Sequence, residues 1–213
     1  MPGVGASRPA APRIARTLGW RDVAYAALDF ETTGLDYATD HVVSYGVVPL
    51  DGGRISVGAS RRQLVRPATP PSPRSQTVHL LRPQDLADAP DLAAAAGPLR
   101  EALAGRVILA WFAEVEVQFL RGIYGGSRRW WRRRVIDVRD LAIFADGSPA
   151  GARAQRGYAL GSIAQRYGIP VADPHDALDD ALVTAQLFIV LVRALPDLPD
   201  PTMGDLRRIG AAT

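Results

Sequence analysis

Asp29 and Glu31 stand two residues apart in the run Asp29-Phe30-Glu31-Thr32-Thr33-Gly34, where an apolar segment ends. Alternation along an extended chain sends both carboxylates to one face. Side by side they repel, and a divalent cation between them removes the repulsion, because hard cations such as Mg²⁺ take oxygen ligands. An ordinary turn at a strand end uses the same residue types, so this run alone leaves both readings open. A second acidic group, His175-Asp176-Ala177-Leu178-Asp179-Asp180, opens a long apolar segment. At ~3.6 residues per turn Asp180 shares a stripe with Thr184, Leu187, Phe188, Leu191 and Leu195 and faces the core, where a carboxylate needs a partner. Asp176 and Asp179 suit the N-cap and first turn of a helix and need no catalytic role. His175, beside three acids, is a candidate general base, since imidazole is the side chain that titrates near neutral pH. The third group, Glu114-Val115-Glu116, holds two of the chain's four glutamates. Helix-start electrostatics accounts for Glu114 and leaves Glu116 open.

The elements that must position these groups follow from periodicity. Residues 23–30, 41–50 and 54–65 are rich in β-branched and aromatic side chains, with Asp51-Gly52-Gly53 as a tight-turn signal, and predict a three-stranded antiparallel meander. Four prolines within residues 67–73 predict an extended surface loop. Further on, helical patterns over 92–103 and 114–124 alternate with short apolar strands at 107–111 and 135–136, the sign of parallel strands joined by crossover helices. Residues 158–167 and 176–195 complete the domain as helices, with Gly168 closing the first of them.

Length and composition bound the function. A chain of 213 residues suits one well-cored domain, and 47% hydrophobic with 22% charged residues excludes wholesale disorder. The apolar run at 187–192 is far short of the ~18 residues of a spanning helix, and residues 1–21 lack a signal-peptide core, so a cytoplasmic protein without a membrane partner is expected. Cys is absent, so a metal here takes oxygen or imidazole ligands. All 25 basic residues are arginine, whose planar fork binds phosphate bidentately.

Taken together and in order, the three acidic groups resemble the DEDDh (DnaQ-like) 3′-5′ exonucleases, the family of the proofreading epsilon subunit of bacterial DNA polymerase III. Asp29 to Gly34 match the first motif, D-x-E-T-T-G, in full, and His175 with Asp180 match H-x-x-x-x-D. The middle motif departs: Trp111 and Phe112 replace a His-Asn pair, and Glu116 takes the place of an Asp, adding one methylene, or ~1.5 Å of reach. The resemblance implies an α/β, ribonuclease H-like mixed five-stranded sheet flanked by helices. It implies two divalent cations, Mg²⁺ or Mn²⁺, ~3.5 to 4 Å apart, with Asp29 bridging both, Glu31 and Asp180 on the nucleophile side and Glu116 supporting the other. It further implies His175 as the base, and Thr32, Thr33, Gly34 and Leu35, with Trp111 and Phe112, beside the substrate's terminal nucleotide. The expected substrate is the 3′ end of single-stranded DNA, cut to nucleoside monophosphates, and a DNA polymerase is a candidate partner. An RNA-trimming enzyme and a weak or inactive binding module are the rivals.

Arg128, Arg129, Trp130, Trp131, Arg132, Arg133 and Arg134 form the densest basic stretch. Two readings stay open: a loop whose tryptophans pack on the sheet, and an exposed patch that binds phosphates and stacks on bases. Residues 1–21, with four arginines and no acid, predict a flexible basic tail ahead of a domain over 22–196, and residues 197–213 predict a frayed end.

Overall fold

A computed structural model describes residues 6–149 and 157–210, and one mixed sheet organises them. The chain enters through β1 (Tyr25–Thr32), returns antiparallel in β2 (Val42–Asp51), and turns at Gly52-Gly53 into β3 (Arg54–Ile55) and β4 (Arg61–Leu64). Both turn glycines have positive φ, 58° and 71°, as a tight hairpin turn demands. Next come α1 (Pro73–His79), α2 (Pro83–Leu86) and α3 (Leu92–Leu103). Strands β5 (Val107–Ala110) and β6 (Val135–Asp137) are separated by α4 (Glu114–Tyr124) and α5 (Arg128–Arg132). Helices α6 (Val138–Ala145), α7 (Leu160–Arg166), α8 (Ala177–Ala194) and α9 (Met203–Ile209) complete the described residues.

The strand order is β3-β2-β1-β5-β6, with β4 also on the outer side of β2; β5 and β6 run parallel to β1. The third column of the sheet is not the single strand expected over 54–65. Residues 56–60, Ser-Val-Gly-Ala-Ser, close their hydrogen bonds locally, Ala59 to Ser56 and Ser60 to Val57, and divide that column into β3 and β4, which makes six strands rather than five. Period-2 alternation then sorts the core. Tyr25 and Ala27 face α8, α6 and α9, whereas Ala26, Leu28 and Phe30 face α3 and α4. The proline-rich loop ends sooner than expected, because Ser72 caps α1 and Pro73 fits its first position.

Of the segments read as loose ends, residues 1–5 and 211–213 lie outside the described residues, and the described parts, 6–21 and 197–210, are docked. Trp20 is fully buried against Phe188, the Ala10 carbonyl accepts from Gly105, and Gly19 bridges Thr202. Helix α9 buries Met203, Leu206 and Ile209 behind a Thr202–Asp205 capping box. An Ala, Pro and Arg composition concealed the few apolar anchors, Ile14, Leu18 and Trp20, that bind the N-terminal strap to the core. Among the described residues no helix is long and apolar enough to cross a membrane.

Candidate active site

Four carboxylates converge where β1, α4 and α8 meet. Asp29 and Glu31 continue the α8-facing side of β1 as alternation requires, and Asp29 pairs with Gly46 in β2. Gly46 is required there, because a Cβ on it would overlap the Ala177 backbone at the start of α8. That close approach brings the first turn of α8, and with it Asp180, over the end of β1. Asp176 caps α8 through the amides of Leu178 and Asp179 and pairs with Arg62 at 2.6 Å, which confirms its structural role. His175 has φ 66° and is exposed, and its amide donates to Asp180 Oδ2 at 3.2 Å. Glu31, His175 and Asp180 each present a ligand atom within 4.8 Å of one another.

Glu116 arrives from the other layer. Ala113 at the N-cap of α4 has no side-chain acceptor to offer, and Phe112 before it sits at φ 63°. The cap comes from β6: Asp137 accepts from the amides of Phe112 at 3.2 Å and Ala113 at 2.9 Å, while also capping α6 through Arg139. The strand read from the sequence over 135–136 stops one residue short of Asp137. Its remote capping depends on a strand–strand adjacency that local sequence does not encode.

Burial, with mutual repulsion added to it, sets the electrostatics. Burial, then Asp180 and Asp176, raise Asp29 well above the ordinary carboxylate range. Burial, followed by Asp29, Asp180 and Asp176, pushes Glu31 up to about 9. Glu116 is raised by burial and then by Asp29, and its Oε2 is buried without a hydrogen-bond partner. Asp180 is raised by burial, partly offset by the amide and charge of His175. Among the described residues none of these four acids has a salt-bridge partner. A dense set of unpaired oxygen donors with an orphaned buried oxygen fits hard divalent cations such as Mg²⁺ or Mn²⁺.

Thr32 to Leu35 border a cleft of about 500 Å³ that also takes in Glu31 and Val115. Gly34 admits no Cβ because the Asp40 carboxylate occupies that space, and Asp40 in turn accepts the Thr33 hydroxyl at 2.7 Å. Leu35 projects with 63% exposure. Trp111 and Phe112 line neither this cleft nor the adjoining one of about 300 Å³ around His175. The Trp111 indole donates to the Tyr158 carbonyl, and Phe112 lies under the Arg139 guanidinium. His79, absent from the sequence reading, is buried between the two clefts; its Nδ1 accepts from Leu81, and its Nε2 has no partner. It lies at the end of α1, beyond the proline-rich stretch over 67–73, in a segment for which the sequence reading assigned no element.

The basic stretch is corrected in part. Trp131 is fully buried, with its indole donating to Gly125, so it cannot stack on a base. Arg134 is 4% exposed and donates to the carbonyls of Pro9 and Ala10. Arg128 pairs with Glu114 at 2.6 Å. Ser127 caps α5, and this one short helix turns the tryptophan face inward, which a run of Arg and Trp could not reveal.

The pattern that defines the RNase_T exonucleases matches residues 26–188, spanning all four carboxylates. The chain belongs to the RNase_T exonuclease family. Within that family it is 29% identical over 174 residues to a DNA polymerase III subunit epsilon-like protein of Rhodobacter capsulatus, covering 80% of this chain and 24% of that one. It is 25% identical over 183 residues to the 3′-5′ exonuclease DinG of Staphylococcus haemolyticus, covering 85% and 19% respectively. The chain thus spans a quarter or less of the length of the curated relatives it matches. E. coli Exonuclease I in complex with a dT13 oligonucleotide superposes with a TM-score of 0.66 at 18% identity, over 83% of this chain and 42% of that one. The RNase_T fold is shared with that structure.

Proposed function

We propose that the protein is a metal-dependent 3′-5′ exonuclease that hydrolyses phosphodiester bonds at single-stranded DNA ends and releases nucleoside monophosphates. The observation that carries this reading is the convergence of Asp29, Glu31, Glu116 and Asp180, four buried or half-buried, mutually repelling carboxylates without a salt-bridge partner among the described residues, beside His175. Asp29, Glu31, Asp180 and Glu116 would hold two divalent cations, Mg²⁺ or Mn²⁺. Such ions, when bound, stabilise the charge that develops on a phosphodiester under attack. His175, exposed at the rim, takes the proton from the attacking water on an imidazole nitrogen. Thr32, Thr33 and Gly34 line the cleft for the terminal nucleotide, and the projecting Leu35 separates it from its neighbour. Curated relatives named as a PolC-type DNA polymerase III and as a DNA polymerase III subunit epsilon-like protein support a DNA polymerase as partner.

A 5′-labelled single-stranded DNA and its RNA counterpart, incubated with Mg²⁺ or Mn²⁺, test the proposal against a chelator control and Asp29→Ala. The expected result is a metal-dependent ladder that shortens from the 3′ end of DNA and is absent in the variant. A ladder on RNA alone would change the substrate. Metal-dependent cutting that persists in Asp29→Ala would overturn the site.

A further inference from the structure

At the end of the sheet away from the carboxylates, three segments enclose a cleft of about 710 Å³: residues 11–16 of the N-terminal strap, the turn from α5 into β6, and α9. Six of its ten lining residues are Arg13, Arg16, Arg133, Arg134, Arg207 and Arg208, and none is acidic. Among the described residues only Arg208 has a carboxylate within reach, Asp205 at 3.6 Å; the other five have no ion-pair partner. Arg134, on the floor, spends its terminal nitrogens on the strap carbonyls of Pro9 and Ala10, while its buried Nε has no partner. The buried Nε of Arg207 is likewise unpaired. Burial, and then Arg8, lower Arg134 to about 10; burial, and then Arg16, lower Arg207. Folding therefore gathers six arginines around one cleft with a single carboxylate, Asp205, in reach of one of them, and a polyanion is the occupant that relieves the repulsion.

We propose that this arginine cleft binds the phosphates of a nucleic-acid strand and so holds a part of the strand remote from the carboxylates. The inference rests on the exonuclease reading above for its choice of polyanion. Guanidinium forks match phosphate oxygens bidentately, and a strand supplies one charge per nucleotide to meet the arginines at the rim, while Arg134 on the floor adds its charge from behind. Recognition here is independent of sequence, because the Trp130 ring is already stacked by Arg8 at 4.8 Å and Arg134 at 4.5 Å and is not free to take a base. Register fixes the separation. Val135 at the start of β6 aligns through Ile108 with Ala26, so Asp29 and Glu31 lie three and five residues further along β1. At ~3.3 Å per residue that is about 10 and 17 Å along the strands, before the sideways step across the sheet. A short substrate in the active site does not reach the cleft, and a long one does.

The test compares Arg13→Gln/Arg16→Gln/Arg208→Gln, all exposed positions, with Arg54→Gln/Arg66→Gln/Arg193→Gln, which removes the same charge elsewhere. Binding of a single-stranded 30-mer is measured in chelator across a salt series, and turnover of the nitrophenyl ester of thymidine monophosphate is measured with Mn²⁺. The cleft variant is expected to bind the 30-mer at least ~10-fold more weakly, with a log–log salt slope smaller by about 2, while hydrolysing the ester at the parental rate. The control variant retains the larger slope. Equal slopes in the two variants overturn the proposal. An unchanged DNA affinity, with loss of binding to an acidic peptide, reassigns the cleft to a protein tail. If the parent does not hydrolyse the ester, the exonuclease reading fails on its own, and the binding comparison still decides the cleft.

Discussion

Gly46 of β2 and Ala177 of α8 touch backbone to backbone, so closely that no side chain fits between them. Asp29 lies across the ladder from Gly46, and Asp180 is one turn beyond Ala177; this contact therefore sets the spacing of two carboxylates that come from opposite ends of the sequence. Gly46→Ala is expected to lower stability by about 1 to 3 kcal/mol, the usual penalty of overpacking a tight contact. It should also cut activity at least tenfold by lifting Asp180 away. Denaturant melts and turnover on one preparation check both; a variant that loses stability but keeps full turnover would place the active geometry elsewhere.

Divalent cations should stabilise the protein in a pH-dependent way. Burial and the neighbouring acids raise Glu31 from 4.5 to about 9, so without cations the folded state holds a proton that the unfolded chain has released. Stability then falls as pH climbs through that window. Bound Mg²⁺ or Mn²⁺ replaces the proton, so the Tm increase on adding metal should be larger at pH 8 than at pH 6. Scanning calorimetry at both pH values, with and without chelator, reads the effect. An equal increase at both would dissociate metal binding from these carboxylates.

Glu116→Gln keeps the size of the side chain and removes one ionisable carboxyl from the repelling set. Thermal stability without metal should rise, the stabilisation by Mn²⁺ should shrink, and turnover should drop by ~100-fold or more, because metal geometry tolerates little displacement. An unaltered response to Mn²⁺ would remove Glu116 from the ligand set and leave its buried Oε2 unexplained.

Asp137→Ala leaves the amides of Phe112 and Ala113 without their acceptor. A loss of about 1 to 3 kcal/mol is expected. Because Asp137 acts through the loop rather than on substrate, Asp137→Asn, which retains one carbonyl acceptor, should recover part of both stability and turnover. Failure of that partial rescue would show that the negative charge, not the cap, is what matters.

Part of the geometry around these acids could be read from spacing, whereas Glu116 was singled out only through the family resemblance. Period-2 alternation placed Asp29 with Glu31, and the 3.6-residue stripe turned Asp180 inward, because both are local regularities that tertiary packing preserved. The helix over 114–124 and the crossover pattern were legible for the same reason. What escaped depends on contacts between distant segments. Asp137 caps a helix on another strand's crossover, and Arg134 ties down residues 9 and 10. Whether a tryptophan among arginines faces solvent or core was decided by one capped turn of helix, and Trp131 went inward. The break in the third strand followed from small residues able to satisfy their own backbone, a choice a β-rich window does not display.

That break has a consequence for association between molecules. A long, flat outer strand beside β2 would offer another chain a continuous row of free amides and carbonyls on which to add. Here the outer column is two short pieces set apart by a 3-10 turn, and the longer one exposes Arg61 and Arg62. The opposite edge is the three-residue β6, whose last amide is already given to Gly210. Both margins of the sheet are thereby short and poor templates for strand addition, and the protein should resist templated aggregation.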